Sequence, residues 1–320
     1  MLISTWGESV SFSGVAPHII SRLPEGLDYR VLALDLSSPV EDSRVIPCAV
    51  SSDERVNAFR VSGLLDELSP SIVVFYFDAR VIRYYTAYLH GAQKRGAKIV
   101  AYVPIDGVLS GPDMVAPFEF FDAVVLFTAH QRSHFLQFVC GSPARRVLDI
   151  PHGVDASLFY EHEEGAARAV VVGSDELRDL GERSGSFLVL NGNREISRKR
   201  IDLTVHGFAS FLAKHSPDAF LVLPRCRADG PSALLAKDLG ISERVLIGGD
   251  SRYVRTVAEL NNLYNQCDVG INSAMGEGWG LISFEHAAVG RAQVVPGSPH
   301  MKEIWADSAL YAEIEATSDS

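Results

Sequence analysis

A chain of 320 residues, 47% of them hydrophobic, is too long for one ordinary core, so two domains of roughly 150 residues each are expected. The formal charge is −11, and 154–320 holds 24 acidic residues against 16 basic ones, which argues against nucleic acid or an anionic membrane as partner. Cysteines 48, 140, 226 and 267 lack the paired spacing of a zinc site or a disulfide framework and fit a reducing cytoplasm, while no apolar run reaches the roughly 18 residues of a membrane helix, so membrane contact would be peripheral at most.

Short apolar runs rich in β-branched and aromatic residues alternate with stretches of helical period, the pattern of a parallel sheet covered by helices. In the first half, strands are predicted over 2–6, 29–34, 72–77, 99–103, 123–127 and 147–150, and helices over 15–22, 56–68, 82–94 and 129–138. Periodicity is lost between Asp155 and Gly185, where Glu, Ala and Gly accumulate, so the domain joint is placed there, with domains 1–155 and 156–320. A second series follows, with strands over 187–191, 220–223, 245–247, 269–271 and 293–295 and helices over 201–214, 232–239, 257–266 and 281–289. Two doubly wound α/β domains result, and each would bind a ligand beyond the carboxyl ends of its strands.

Two segments of the second half carry chemistry. After the strand predicted at 269–271 comes Gly276-Glu-Gly-Trp-Gly-Leu-Ile-Ser-Phe-Glu285, in which seven residues separate Glu277 from Glu285. Three glycines place Glu277 on a tight loop, and Gly290 suits the end of a helix that holds Glu285 about one turn in. The N–H groups of Gly280, Leu281 and Ile282 at that helix start suit a phosphate, and Glu285 suits a sugar diol. Gly278 and Trp279 belong to the same loop, Trp279 either filling its apolar side or facing the ligand. The second segment is the basic cluster Arg194, Arg198, Lys199 and Arg200, set in the more acidic half and suited to an anion or, alternatively, to a solvated helix end.

These residues resemble the family 4 retaining glycosyltransferases. Ser273-Ala-Met-Gly-Glu-Gly-Trp-Gly-Leu-Ile-Ser-Phe-Glu285 is similar to the family's paired-glutamate motif, and Asn193-Arg-Glu-Ile-Ser-Arg-Lys-Arg-Ile-Asp202 to the segment that clasps the donor pyrophosphate, with Arg194 and Lys199 in the clasping places. Pro151-His-Gly-Val-Asp155 resembles the passage between domains, and Leu263-Tyr-Asn-Gln-Cys-Asp-Val269 the run before the glutamates. The resemblance implies the GT-B architecture, two Rossmann-like domains facing each other across a cleft. It also implies transfer of a sugar from a UDP- or GDP-linked donor to an acceptor that is a carbohydrate, lipid-linked, protein or small molecule. Glu277 would contact the transferred sugar and Glu285 the nucleotide ribose. Gly14, in Ser11-Phe-Ser-Gly14 after the first strand, falls where the family has a glycine-rich loop near the donor. No Asp-any-Asp tripeptide occurs, so two side-chain cations rather than a divalent metal would neutralise the leaving diphosphate, and removing either would cost about 2–4 kcal/mol of transition-state stabilisation. No cofactor beyond the nucleotide sugar is expected.

The departures from the family matter as well. Where many members carry a histidine after the fourth strand, this chain reads Tyr102-Val-Pro-Ile-Asp-Gly107, leaving Asp106 as the polar residue to orient the acceptor or take its proton, or simply to form a turn. His130 and His134 share a helix face at a spacing that a metal pair would use, although ordinary histidines are the expected reading, and His162-Glu163 lacks the second histidine of a zinc hydrolase. Relatives continue through further helices after the position of Glu315, the last bracing the first domain, whereas this sequence ends at Ser320. Two alternatives stand beside the enzyme: a silent sugar-nucleotide-binding subunit supporting a partner glycosyltransferase, and a dinucleotide-dependent oxidoreductase, against which neither half opens with Gly-x-Gly-x-x-Gly.

Overall fold

The computed structural model describes residues 1–7, 12–107, 109–139, 146–163, 185–249 and 256–314. The chain divides into two compact units, Met1–His152 and Gly153–Ser320. Both are built on parallel sheets, and their inner strands are continuous apolar runs rather than alternating ones, because helices cover both faces. Ala219–Leu223, buried at every position, is the clearest case.

In the first unit the strands are β1 (Leu2–Ser4), β2 (Val31–Ala33), β3 (Val45–Pro47), β4 (Ile72–Tyr76), β5 (Lys98–Tyr102), β6 (Ala123–Leu126) and β7 (Arg146–Asp149). They lie in the order β3-β2-β1-β4-β5-β6-β7, every pairing parallel. Helices α1 (Phe12–Ser21), α2 (Glu54–Leu68), α3 (Thr86–Lys94) and α4 (Ala129–Leu136) supply crossovers. Their limits follow local chemistry. Asp53 caps α2 by accepting from Arg55 N, left-handed Ser69 ends it before Pro70, and Thr128 caps α4 through Gln131 N. Phe75, Ile82, Tyr85, Leu89, Ile99 and Phe121 form the centre of the core.

The second unit holds β8 (Phe187–Leu190), β9 (Ala219–Leu223), β10 (Val245–Ile247), β11 (Val269–Ile271), β12 (Ala292–Pro296) and β13 (Leu310–Ala312), in the order β10-β9-β8-β11-β12-β13 and again wholly parallel. Among its described residues the helices are α5 (Ile201–His215), α6 (Pro231–Asp238), α7 (Val257–Gln266), α8 (Leu281–Ala288) and α9 (Pro299–Trp305). A capping box between Thr256 and Glu259 starts α7.

Four elements differ from the sequence reading. Strand β3 was not predicted, because Val45-Ile46-Pro47 is too short to show a period; it sits at the sheet edge, where a proline that cannot donate is tolerated. The helix predicted over 82–94 is two pieces, a 3-10 turn Ile82–Tyr84 followed by α3, with Thr86 Oγ1 bonding back to the Ile82 carbonyl at 3.1 Å. Helix α9 and strand β13 were also missed, although Met301 and Trp305 recur at helical spacing and are buried.

Strand order places a switch point in each sheet: between β1 and β4, and between β8 and β11, adjacent chains leave their strands in opposite directions. Behind the second, the sheet tolerates no side chain at Gly270, where an added carbon would collide with the buried amide of Gln293 and lie 2.7 Å from His286 Nδ1. Gly270→Ala is therefore expected to destabilise the second unit by about 2–3 kcal/mol in chemical denaturation. Gly207→Ala, on an open face of α5, should instead add about 0.5–1 kcal/mol. Equal effects from the two would contradict this packing.

Candidate functional site

The loops that leave β8 and β11 meet at the second switch point, and buried amides and hydroxyls fix both. After β8, Asn191 Oδ1 accepts from Asn193 N at 3.2 Å and from Asn193 Nδ2 at 3.1 Å, which turns the chain at the strand end. Asn191 Nδ2 donates to Thr204 Oγ1 at 2.8 Å, and Thr204 Oγ1 lies 2.8 Å from Ser273 Oγ. Because Ser273 Oγ gives its hydrogen to the Arg200 carbonyl at 2.7 Å, the Thr204 hydroxyl must donate to Ser273, so every proton in the row has a place. After β11, Asn272 Oδ1 accepts from Ala274 N at 3.0 Å, and Met275 N donates to the Arg198 carbonyl at 2.9 Å. The two loops are thereby stitched side to side.

This frame carries an ion pair. Lys199 Nζ donates to Glu277 Oε1, with both residues buried at 9% and 7% exposure. Asn272 Nδ2 donates to the same oxygen at 3.2 Å. Arg198 Nη1 donates to the Gly276 carbonyl and stands 3.6 Å from Glu277 Oε2, so two cations attend one carboxylate. Desolvating such charges is expensive, and the hydrogen bonds from Asn272 and Lys199 offset that cost. Gly280, at φ 90, turns the loop in the left-handed region directly into α8, and no side chain caps that helix. The first amides of α8, those of Leu281 and Ile282, are left for a ligand or solvent. Gly278 is buried within the turn, and Trp279 packs its ring on Phe284 at 4.9 Å, which in turn packs on Trp305 at 4.6 Å, so Trp279 anchors the loop to the core.

Glu285 lies one turn into α8, at 6% exposure, and accepts from the Tyr264 hydroxyl at 2.8 Å. Burial pushes its carboxyl up to about 7, against opposing contributions from the Tyr264 hydrogen bond and from Arg225. The neighbouring His286 is pushed down to about 4 by burial. Its Nδ1 faces the Gln293 amide nitrogen at 3.1 Å, leaving Nε2 to donate to the Cys267 carbonyl at 3.4 Å, so the ring is neutral and serves as packing.

Beside Lys199 stands a cation that the clasping pair of the sequence reading did not include. Arg194 is exposed, whereas Arg198 stands next to Glu277. Arg200 is the left-handed residue ahead of α5 and pairs with Asp202 at 2.8 Å. The sequence reading also passed over Tyr264 and the Asn191, Asn193, Asn272, Ser273 and Thr204 row; its signal was a buried apolar strand ending in asparagine, twice.

In the first unit Gly14 falls in the first turn of α1, while Ser11 lies outside the described residues. Asp106 follows β5, half-buried and near Arg80, whose guanidinium is held up first by its pair with Asp78 at 2.6 Å and further by Asp106. At the ends of β4 to β7, Tyr76 Oη lies 3.3 Å from His152 Nε2 and the Tyr102 hydroxyl donates to the Ile150 carbonyl at 3.1 Å. The rings of His130 and His134 stack at 6.4 Å, and His134 Nε2 accepts from Leu109 N at 2.9 Å, which occupies the lone pair a metal would need. Among the described residues, no three His, Cys, Asp or Glu side chains converge as metal ligands, and no helix is long and apolar enough to cross a membrane.

No family model matches the sequence, and no curated protein sequence matches it. Solved structures do. Sucrose-phosphate synthase from Thermosynechococcus elongatus is similar at a TM-score of 0.69 and 17% identity, over 92% of this chain and 80% of that one. An E. coli structure of trehalose-6-phosphate bound with UDP-2-fluoro glucose gives 0.68 at 13% identity, over 98% and 87%. S. aureus TarM, in complex with UDP among other ligands, gives 0.59 at 12% identity, over 80% and 49%. The shared fold is GT-B, two Rossmann-like α/β domains in one chain.

The environment of Glu285 has a measurable consequence. Its carboxyl ionises near 4.5 when unfolded and near 7 when folded, so between those values the native state holds the extra proton. The stability this gives is full below about pH 4.5 and is lost as pH rises through about 7, up to roughly 3 kcal/mol. Glu285→Gln keeps an acceptor for Tyr264 but cannot titrate. Its melting temperature should therefore gain on that of the unaltered protein as pH rises from 5 to 8; parallel profiles would contradict the burial described.

Proposed function

We propose that the chain is a retaining glycosyltransferase that moves a sugar from a UDP- or GDP-linked donor to an acceptor hydroxyl without a metal ion. The observation that carries this reading is the buried Lys199–Glu277 pair, set at a switch point beside the uncapped start of α8. An anion-binding helix end, two cations and a carboxylate together match the parts of a nucleotide sugar: diphosphate for Lys199 and the amides of Leu281 and Ile282, sugar hydroxyls for Glu277, ribose hydroxyls for Glu285. Arg194 reaches the diphosphate from its exposed position, and Arg198 stands beside Glu277, 3.6 Å from its Oε2. The E. coli neighbour carries UDP-2-fluoro glucose and the TarM structure UDP, which supports a uridine donor.

In the reaction, the bond between the anomeric carbon and the β-phosphate oxygen breaks, and the acceptor oxygen bonds to that carbon on the same face. The acceptor proton passes to the departing phosphate oxygen, giving a glycoside and a nucleoside diphosphate. Charge grows on the diphosphate as the bond lengthens, so cations and amides fixed in place hold the transition state more tightly than the bound donor. With two side-chain cations and a helix terminus already there, a divalent ion is not required by this scheme. Asp106, in the first unit, is assigned to orienting the acceptor.

The test is donor turnover. With UDP-glucose and GDP-mannose, slow release of nucleoside diphosphate is expected, and Lys199→Ala and Glu277→Ala should each lower it by about 10²–10³-fold in protein that melts normally. Arg194→Ala should act in the same direction and more weakly. Undiminished turnover in Lys199→Ala would overturn the assignment. Donor binding with no turnover across a broad acceptor panel would favour the silent sugar-nucleotide-binding subunit instead.

A further inference from the structure

Between the asparagine turn at 191–193 and the Ser273 contact with the carbonyls of Lys199 and Arg200, the chain runs through 194–198 as a loop. Its only repetitive structure is the 3-10 turn Ser197–Lys199 that follows Ile196. Such a loop would carry its cations poorly if it moved, since a small displacement spoils the alignment of charge with a phosphate. Arg198 ties one end of the loop to the Gly276 carbonyl, and a second side chain reaches the other way, to α6. Glu195 Oε1 accepts from Ser232 N at 2.7 Å and Oε2 from Arg227 N at 3.5 Å. Ser232 is the second residue of α6, a helix that starts Gly230-Pro231 with no capping side chain of its own. Glu195 therefore occupies, from 37 residues away, the place a local cap would take, and its charge is favoured there by the helix dipole.

The fit is close. Gly230 has an ordinary extended backbone, at φ −84, yet a carbon added to it would collide with the Glu195 carboxylate and lie 3.1 Å from the Arg227 carbonyl. The absence of a side chain at Gly230 leaves room for the seated glutamate and the Arg227 carbonyl, and the conformation of the chain does not call for glycine. Helix α6 also packs on α5, the helix that the same loop leads into, so the carboxylate closes a ring of loop, α5 and α6.

We infer that Glu195 is a positioning residue: by seating its carboxylate on the amide end of α6 it locks the loop that carries Arg194, Arg198 and Lys199, and so sets the affinity for a diphosphate it does not touch. The last clause rests on the function proposed above, and the lock itself does not. Glutamine at this position keeps an acceptor for Ser232 N, and alanine keeps none.

Hydrogen exchange on the full chain reads the lock directly. Amides 193–200 should exchange about tenfold faster in Glu195→Ala and in Gly230→Ala, and close to the unaltered rate in Glu195→Gln. In a Glu195→Ala background, Gly230→Ala should add little, because the colliding carboxylate is gone. Calorimetry with inorganic pyrophosphate then reads the consequence: about tenfold weaker binding for Glu195→Ala, restored by Glu195→Gln, with the melting temperature separating this from general unfolding. Unchanged exchange in Glu195→Ala, or an equal cost of Gly230→Ala in both backgrounds, would overturn the inference. Faster exchange in a protein whose unaltered form binds no pyrophosphate would instead contradict the donor reading and leave the lock standing.

Discussion

A lysine and a glutamate buried together beyond the ends of two parallel strands set the terms for the second unit. Lys199 and Glu277 are 78 residues apart in the sequence. Each reaches the other because β8 and β11 are neighbours and the loops that follow them meet beyond the strand ends, which is a property of strand order and not of any one residue. As a source of stability such a pair is weak, since desolvation consumes most of what the attraction returns. What it provides is a fixed cation and a fixed carboxylate in a place water scarcely reaches. There, electrostatic interactions with an arriving ligand are stronger than at the surface.

The surrounding polar groups make that arrangement affordable. Asn191, Thr204 and Ser273 pass hydrogen bonds in one direction, from strand end to α5 to loop and on to the Arg200 carbonyl, while Asn272 donates to Glu277. A network in which every proton has one destination is rigid, and a network with a gap would be worse than an apolar core. Glu285 stands apart from this system, paired with a phenol and held toward its neutral form by burial. The two glutamates of one motif thus have different environments: Glu277 faces cations, Glu285 a hydroxyl.

Much of this was readable from the sequence, and the reasons it was are physical. Parallel strands covered on both faces are apolar runs, so eleven of the strands in the two sheets declared themselves, while β3 and β13, at the edges, are three residues long and carry too little pattern. The glycines around Glu277 pointed to a tight turn, and Gly280 takes up left-handed geometry there. What the sequence left open was direction. Arg194, Arg198, Lys199 and Arg200 look alike in a string of letters, and which of them faces inward depends on a 3-10 turn and a left-handed residue at Arg200. The same holds for Glu195, whose partner on α6 lies 37 residues on and is invisible without the fold. His134 shows the reverse case: its spacing from His130 suits a metal, and one backbone N–H from Leu109 takes the nitrogen instead.

The central claim is that the cation and carboxylate at the second switch point, with the amides that open α8, form the seat of a nucleotide sugar's diphosphate. A crystal structure of the full chain grown with UDP tests it most directly. The account expects diphosphate oxygens within hydrogen-bond distance of Lys199 Nζ and of the N–H groups of Leu281 and Ile282, with the ribose against Glu285. Clear nucleotide density anywhere else, with Lys199 still closed on Glu277, would contradict it.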